Sequence, residues 1–195
     1  GTLHIEGDWS HAAFYLVAGA IGRGEIRLTG LDPQSAQGDR AVVEILRDMG
    51  ADIRWEGDAL VSRASRLHGL RVDCAQIPDL VPILAVAMAA AEGESRITGA
   101  ARLRIKESDR LSAMAAALTA AGADAAELPD GLAIHGGKPL HAAKIEGCND
   151  HRLVMAMAIA SALSDGEWTI TDAEATAKSA PAFWQEFERL GGRAR

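Results

Sequence analysis

The sequence predicts an α/β protein in a single domain, built from one strand–helix unit used three times. Three observations carry that prediction. Asp8, Asp79 and Asp150 each stand at the start of a helix rich in Ala, Leu, Val and Ile, and both intervals are 71 residues. The landmarks behind each helix return in the same order: a Gly-Glu turn at Gly24-Glu25, Gly93-Glu94 and Gly166-Glu167, then a helix-ending glycine at Gly50, Gly122 and Gly191. The helix behind each of these aspartates also lacks a polar face, which places it in the interior. A fixed period of this length marks a supersecondary unit whose copies bury their apolar faces against one another. Unit boundaries fall near 1–70, 71–141 and 142–195.

Each unit reads as strand, buried helix, strand, amphipathic helix and hairpin (βαβαββ). The buried helices are expected at 10–21, 80–91 and 153–163, and the strands after the Gly-Glu turns at 26–29, 95–98 and 168–171. The second helices, at 39–49, 108–121 and 181–190, alternate apolar and charged residues at three- and four-residue spacing, so they lie half exposed. Hairpins follow in two units, around Glu56-Gly57-Asp58 and Pro129-Asp130-Gly131, where the turn residues have a mechanistic reason to be. The third unit reaches Arg195 where its hairpin is due. Strands from elsewhere are expected to complete it.

Composition bounds the rest. At 195 residues and 48% apolar, the chain can bury one substantial core, and with only 4% aromatic residues that core is aliphatic and alanine-rich. No apolar run of membrane-spanning length is unbroken, and no basic leader precedes an apolar stretch. The opening Gly1-Thr2-Leu3-His4-Ile5 reads as mid-strand, as in a segment of a longer protein. Cys74 and Cys148 lack metal-ligand spacing and read as cytosolic thiols, so a cytoplasmic setting without a bound metal is expected. A net charge of −7 argues against nucleic acid as partner, but not against small anions held by local cations.

Charged motifs interrupt the apolar pattern at three places. Lys106-Glu107-Ser108-Asp109-Arg110 opens the second helix of unit two. Ser108 or Asp109 can cap that helix, but capping does not account for Lys106 and Glu107, because unit one has Gln37-Gly38-Asp39-Arg40 there. Arg102 and Arg104 add cations just upstream. A carboxylate among several cations suits an anion site with a proton-transfer group. Asn149-Asp150-His151-Arg152 opens the buried helix of unit three; Asp8, Asp79 and Asp150 are explained as N-caps, whereas His151 and Arg152 are not. Lys178, in Thr176-Ala177-Lys178-Ser179-Ala180-Pro181, precedes a helix that Pro181 is expected to start. The repeat should bring Asp79, Lys106, Glu107, Arg110, His151, Arg152 and Lys178 to one end of the domain. Helix N-termini favour anions there.

These motifs resemble the EPSP synthase family, the 3-phosphoshikimate 1-carboxyvinyltransferases. Glu6-Gly7-Asp8-Trp9-Ser10, Ile77-Pro78-Asp79, the Lys106–Arg110 run, the Asn149–Arg152 run and Thr176-Ala177-Lys178 stand in family order. The resemblance implies one lobe of the two-lobed enolpyruvyl transferase fold, mainly the C-terminal half, with the other lobe as partner and source of the missing strands. It implies transfer of the enolpyruvyl group of phosphoenolpyruvate to the 5-hydroxyl of shikimate 3-phosphate, with no metal or organic cofactor. Asp79 then matches the carboxylate that contacts the shikimate hydroxyls and accepts a proton. Glu107 matches the one that moves a proton at the methylene carbon of phosphoenolpyruvate. Lys106 corresponds to a ligand on the shikimate-phosphate side, Arg110, Arg152 and Lys178 to the phosphoenolpyruvate clamp, and His151 to a residue lining the site.

Two residues depart from the family pattern: Arg102 replaces an Asn found in some members, and Ala180 a common aromatic. The isolated lobe is expected to be inactive. Two other readings are an anion-binding module without catalysis, and another enolpyruvyl transferase such as the UDP-N-acetylglucosamine type.

Overall fold

The computed structural model describes residues 5–195, so most of the strand expected at 1–5 lies outside the described residues. Unit one comprises α1 (Trp9–Ile21), β1 (Glu25–Leu28), a 3-10 turn at Gly38–Ala41 running into α2 (Val42–Asp48), and the hairpin β2 (Asp52–Glu56) and β3 (Ala59–Arg63). Unit two contains every part of the repeat. It runs β4 (Arg71–Asp73), a 3-10 turn at Pro78–Leu80, α3 (Val81–Ala90), β5 (Gly93–Thr98), a 3-10 segment at Ala101–Ile105, α4 (Arg110–Ala120), β6 (Asp124–Leu128) and β7 (Gly131–Gly136). Unit three has β8 (Lys144–Ile145), α5 (His151–Ala160), β9 (Thr169–Ile170) and α6 (Phe183–Arg189).

The sheets repeat as the units do. β1, β3 and β2 form an antiparallel sheet with β3 in the middle. The order β4-β5-β7-β6 reproduces that arrangement, with β4 added in parallel to β5. In unit three β8 pairs in parallel with β9, and among the described residues no hairpin follows. A groove of about 900 Å³ lies beside β9, lined in part by Trp168, Ile170, Trp184 and Phe187.

α1, α3 and α5 pack against one another at the centre. Nine of the ten α3 residues are buried, as an apolar helix requires. Their many alanines carry no side-chain entropy to lose on burial. The amphipathic helices cover this centre with one face each; Leu46, Met114 and Leu118 are inside. Gly50, Gly122 and Gly191 follow α2, α4 and α6 with φ of 97°, 92° and 99°, the left-handed conformation that lets a helix end sharply.

Boundaries differ from expectation where a local interaction takes over. α4 starts at Arg110, because residues 106–109 form a turn whose last residue, Asp109, accepts from the Ser112 amide as the cap. α6 begins at Phe183, so Pro181 precedes the helix and does not occupy its first turn. Asp8 and Asp150 do cap α1 and α5. Asp79 does not: it sits inside the Pro78–Leu80 turn and makes no cap bond, leaving its carboxylate for other side chains.

Candidate active site

Arg110 is the centre of the charged cluster. It occupies the first position of α4, points into the interior and is 1% exposed. Its guanidinium is shared among three carboxylates. Nε donates to Asp150 Oδ2 at 2.7 Å, Nη1 to Asp79 Oδ1 at 3.1 Å, and Nη2 to Glu107 Oε2 at 2.7 Å. A buried arginine needs such partners, because an unpaired charge in the interior is expensive. One side chain therefore joins the start of α4, the turn before α3 and the cap of α5.

Asp150 is fully buried and holds the second junction. Its Oδ2 also accepts from Ser108 Oγ at 3.0 Å, and its Oδ1 accepts from the Arg152 amide at 3.0 Å. Burial alone would raise its pKa; the Arg110 guanidinium, Ser108 and the helix amide outweigh that and hold it below the usual carboxylate range. The chain reaches this cap through Cys148 and Asn149, both left-handed at φ of 52° and 51°. Asn149 is kept there by its amide, which donates to Asp172 Oδ2. Its carbonyl accepts from Lys178 Nζ.

His151 and Arg152 occupy the first turn of α5. Arg152 Nη2 donates to Ser10 Oγ at 3.0 Å and lies 3.4 Å from Asp79 Oδ2, so it reaches the starts of α1 and α3 together. His151 is buried, and its Nδ1 has no hydrogen-bond partner, although Glu107 Oε1 is 3.7 Å away. Burial, reinforced by Arg152, depresses the imidazole pKa against the pull of Asp150 and Glu107, so the ring is neutral at pH 7.

All seven anticipated residues lie at this end of the domain, in different states. Asp79, Glu107, Arg110 and Arg152 form one contiguous network, and His151 lies against it 3.7 Å from Glu107. Lys178 joins it through the loop before α5. Lys106 is exposed, and its ammonium pairs with none of the described residues. Arg102 Nη2 donates to the Ala75 carbonyl, and Arg104 is paired with Asp109 and Glu127 and turns toward the β6–β7 hairpin. The setting is richer in carboxylates than the motif's run of cations suggests.

Sequence reasoning passed over three participants. Asp150 was explained as a cap alone; its two neighbours His151 and Arg152 were the signal that this cap faces other groups. Ser10 belongs to the Asp-Trp-Ser run and anchors Arg152. Asp39 has a raised pKa, from burial first and then from the Asp79 and Asp8 carboxylates, so it borders the same cluster. The signal was its place in Gln37-Gly38-Asp39-Arg40, the unit-one counterpart of the Lys106–Arg110 run.

Chemically, two half-exposed carboxylates, Asp79 and Glu107, are held in fixed positions beside cations. That arrangement can receive an anionic substrate and move protons at it.

Comparison with known proteins places the chain in a family. The sequence profile described as EPSP synthase (3-phosphoshikimate 1-carboxyvinyltransferase) matches residues 1–187. A 3-phosphoshikimate 1-carboxyvinyltransferase of Clostridium novyi is 45% identical over 188 residues, which are 96% of this chain and 43% of that protein. Its counterpart in Methanopyrus kandleri is 42% identical over 192 residues, 98% of this chain and 44% of that protein. The chain thus spans less than half the length of the curated relatives it matches. Among solved structures, an EPSP synthase of Acinetobacter baumannii superposes with a TM-score of 0.82 at 34% identity, covering 96% of this chain and 46% of that one. The enolpyruvyl transferase NikO of Streptomyces tendae, at 20% identity and a TM-score of 0.77, shares the fold. With its α/β repeat matching one part of these larger enzymes and the profile running from its first residue to 187, the chain belongs to the EPSP synthase family.

Proposed function

We propose that this chain is one lobe of a 3-phosphoshikimate 1-carboxyvinyltransferase, inactive alone and competent when joined to a second lobe. The observation that carries the reading is the Asp79–Arg110–Glu107 network beside His151, which gathers two carboxylates where the starts of α3, α4 and α5 meet. In the reaction, the 5-hydroxyl oxygen of shikimate 3-phosphate bonds to C2 of phosphoenolpyruvate and loses its proton, while the methylene carbon C3 gains one. The tetrahedral intermediate then loses phosphate from C2 and a proton from C3, which leaves the enolpyruvyl ether.

Glu107 delivers and removes the C3 proton, and Asp79 contacts the shikimate hydroxyls and takes up the hydroxyl proton. Arg152 and Lys178 hold phosphoenolpyruvate, Lys106 holds shikimate 3-phosphate, and neutral His151 lines the site beside Glu107. Arg110 fixes both carboxylates and reaches phosphoenolpyruvate when one of them shifts. Fixed cations meet the charge that develops on the intermediate, and planar arginines match carboxylate and phosphate in two-point contacts. No metal or organic cofactor enters these steps. We place the enzyme in the cytoplasm. A second lobe would supply the remaining substrate contacts and the strands that complete the β8–β9 sheet over its groove; both reactants must be held in register for turnover.

Phosphate release from phosphoenolpyruvate and shikimate 3-phosphate tests this, first with the chain alone and then with the separately expressed remainder of a relative. Activity only in the mixture supports the reading. Activity of the chain alone refutes the divided site. Silence in a mixture shown to associate refutes the enzyme reading in favour of an anion-binding module.

A further inference from the structure

We propose that Arg104 is a positioning residue that holds the Lys106-Glu107-Ser108 turn rigid by clamping it to the β6–β7 hairpin. The proposal deepens the function given above, which assigns work to Lys106 and Glu107. It starts from a contrast between sequence and structure. In the sequence Arg104 is one of a run of cations suited to an anion. In the structure each of its three guanidinium nitrogens donates within the protein. Nε donates to the Pro129 carbonyl at 3.0 Å, and Nη2 to the Leu128 carbonyl at 2.7 Å. Nη1 donates to both Asp109 Oδ2 at 2.9 Å and Glu127 Oε1 at 2.6 Å.

The Asp109 bond matters most. It joins residue 104 to residue 109, closing a ring around the residues between them. Leu103, just before the ring, is wholly buried, and Arg110, just after it, is the buried hub. Asp109 divides its carboxylate between two duties: Oδ1 caps α4 at the Ser112 amide, and Oδ2 binds Arg104. The turn is thereby fixed at its entry, at its exit and across its middle. Glu107 and Ser108 are tied inward to Arg110 and Asp150, but Lys106 is exposed, so the outer side of the turn has little packing to hold it instead. The planar fork of arginine suits the task because its donors leave in fixed directions toward several acceptors. A lysine keeps the charge and cannot span them.

The test is backbone mobility by 15N relaxation on this chain, with Arg104→Lys and the milder Glu127→Gln. In the parent, order parameters for residues 106–108 should be near those of α5, about 0.85. Arg104→Lys should lower them toward about 0.6 while α5 is unchanged, and Glu127→Gln, which keeps an acceptor and the Asp109 bond, should lower them by less. In the reconstituted two-lobe mixture, Arg104→Lys should lower kcat about ten-fold with a smaller change in KM, the factor expected from one lost charge-assisted bond. Unchanged order parameters in both variants would overturn the proposal. So would tighter binding of inorganic phosphate to Glu127→Gln, since that outcome makes Arg104 an anion ligand released from a competitor. The relaxation result does not depend on turnover, so an inactive mixture with a loosened turn counts against the proposed function and not against the clamp.

Discussion

Replacing Asp150 by Asn separates the two jobs of that residue and exposes the weight of the buried pair. Asparagine caps helices as well as aspartate does, so the bond to the Arg152 amide survives. The other side-chain atom becomes an NH2 group aimed at Arg110 Nε and Ser108 Oγ, and a donor then faces the arginine donor at the 2.7 Å contact. Removing one partner of a buried ion pair costs about 3–5 kcal/mol. Because Arg110 retains Asp79 and Glu107, the lower end applies, about 3 kcal/mol. For a chain of this size that lowers Tm by about 6–12 °C. Asp8→Asn is the internal control: Asp8 caps α1 through the Ser10 and His11 amides, and its change should cost less than about 0.5 kcal/mol.

Urea unfolding followed by circular dichroism at pH 7 measures both. The acid dependence is a second signature. The folded pKa of Asp150 is depressed below its ordinary value of 3.8, because Arg110 and its other partners overcome the effect of burial. Its contribution is therefore complete above that value and is lost as pH falls through the lower folded one. The gap between parent and Asp150→Asn should hold steady from pH 7 to about pH 4 and narrow below. An Asp150→Asn loss no larger than that of Asp8→Asn would refute the claim that Arg110 is held by this carboxylate.

Four other outcomes are expected. In the two-lobe mixture, Glu107→Gln should cut turnover far more than substrate affinity, and equal loss of both would remove its proton-transfer role. Burial depresses His11, against Glu186 and Asp8, and burial with Arg152 depresses His151, so both resist protonation in the fold. Stability should be complete above their ordinary pKa of 6.5 and decline as pH falls below it, seen as falling urea midpoints between pH 7 and pH 5 that fall less steeply in His11→Gln, where only His151 remains of the two. Cys74 is buried, and burial together with Asp73 pushes its thiol up to about 12; a thiol reagent should therefore modify only exposed Cys148 in the folded chain and both cysteines in urea. Gly131→Ala would set a methyl carbon 1.8 Å from the Ile97 carbonyl oxygen across the β5–β7 pair, and should cost about 2–3 kcal/mol of unfolding free energy.

The repeat was legible because it is written in features that survive local variation. A 71-residue interval, three apolar helices and three helix-ending glycines located every unit, and the glycines carry the left-handed angles that their position implies. Side-chain destinations were less legible because they depend on partners distant in sequence. Arg104 reads as an unpaired cation until Glu127 and the carbonyls of Leu128 and Pro129 are brought to it. Asp79 resembles Asp8 and Asp150 in spacing, yet it lies within a 3-10 turn beside Pro78 and cannot cap as they do. Helical periodicity ran on through residues 108 and 109 because Asp109 and Ser108 also suit a first turn; the bond from Ser108 to Asp150, 42 residues away, draws them out of it.

The two left-handed residues before α5 limit how this protein can be improved. Asn tolerates that conformation, but a cysteine there is strained, by about 1–2 kcal/mol. A search for thermostable variants would find glycine at position 148 early, since it removes the strain. The same change would give the loop new freedom just where the Asn149 carbonyl meets Lys178 and Asp150 meets Arg110. Stability and the order of the charged cluster would then be selected in opposite directions at one residue. A lineage under pressure for heat resistance would have to gain it elsewhere in the chain.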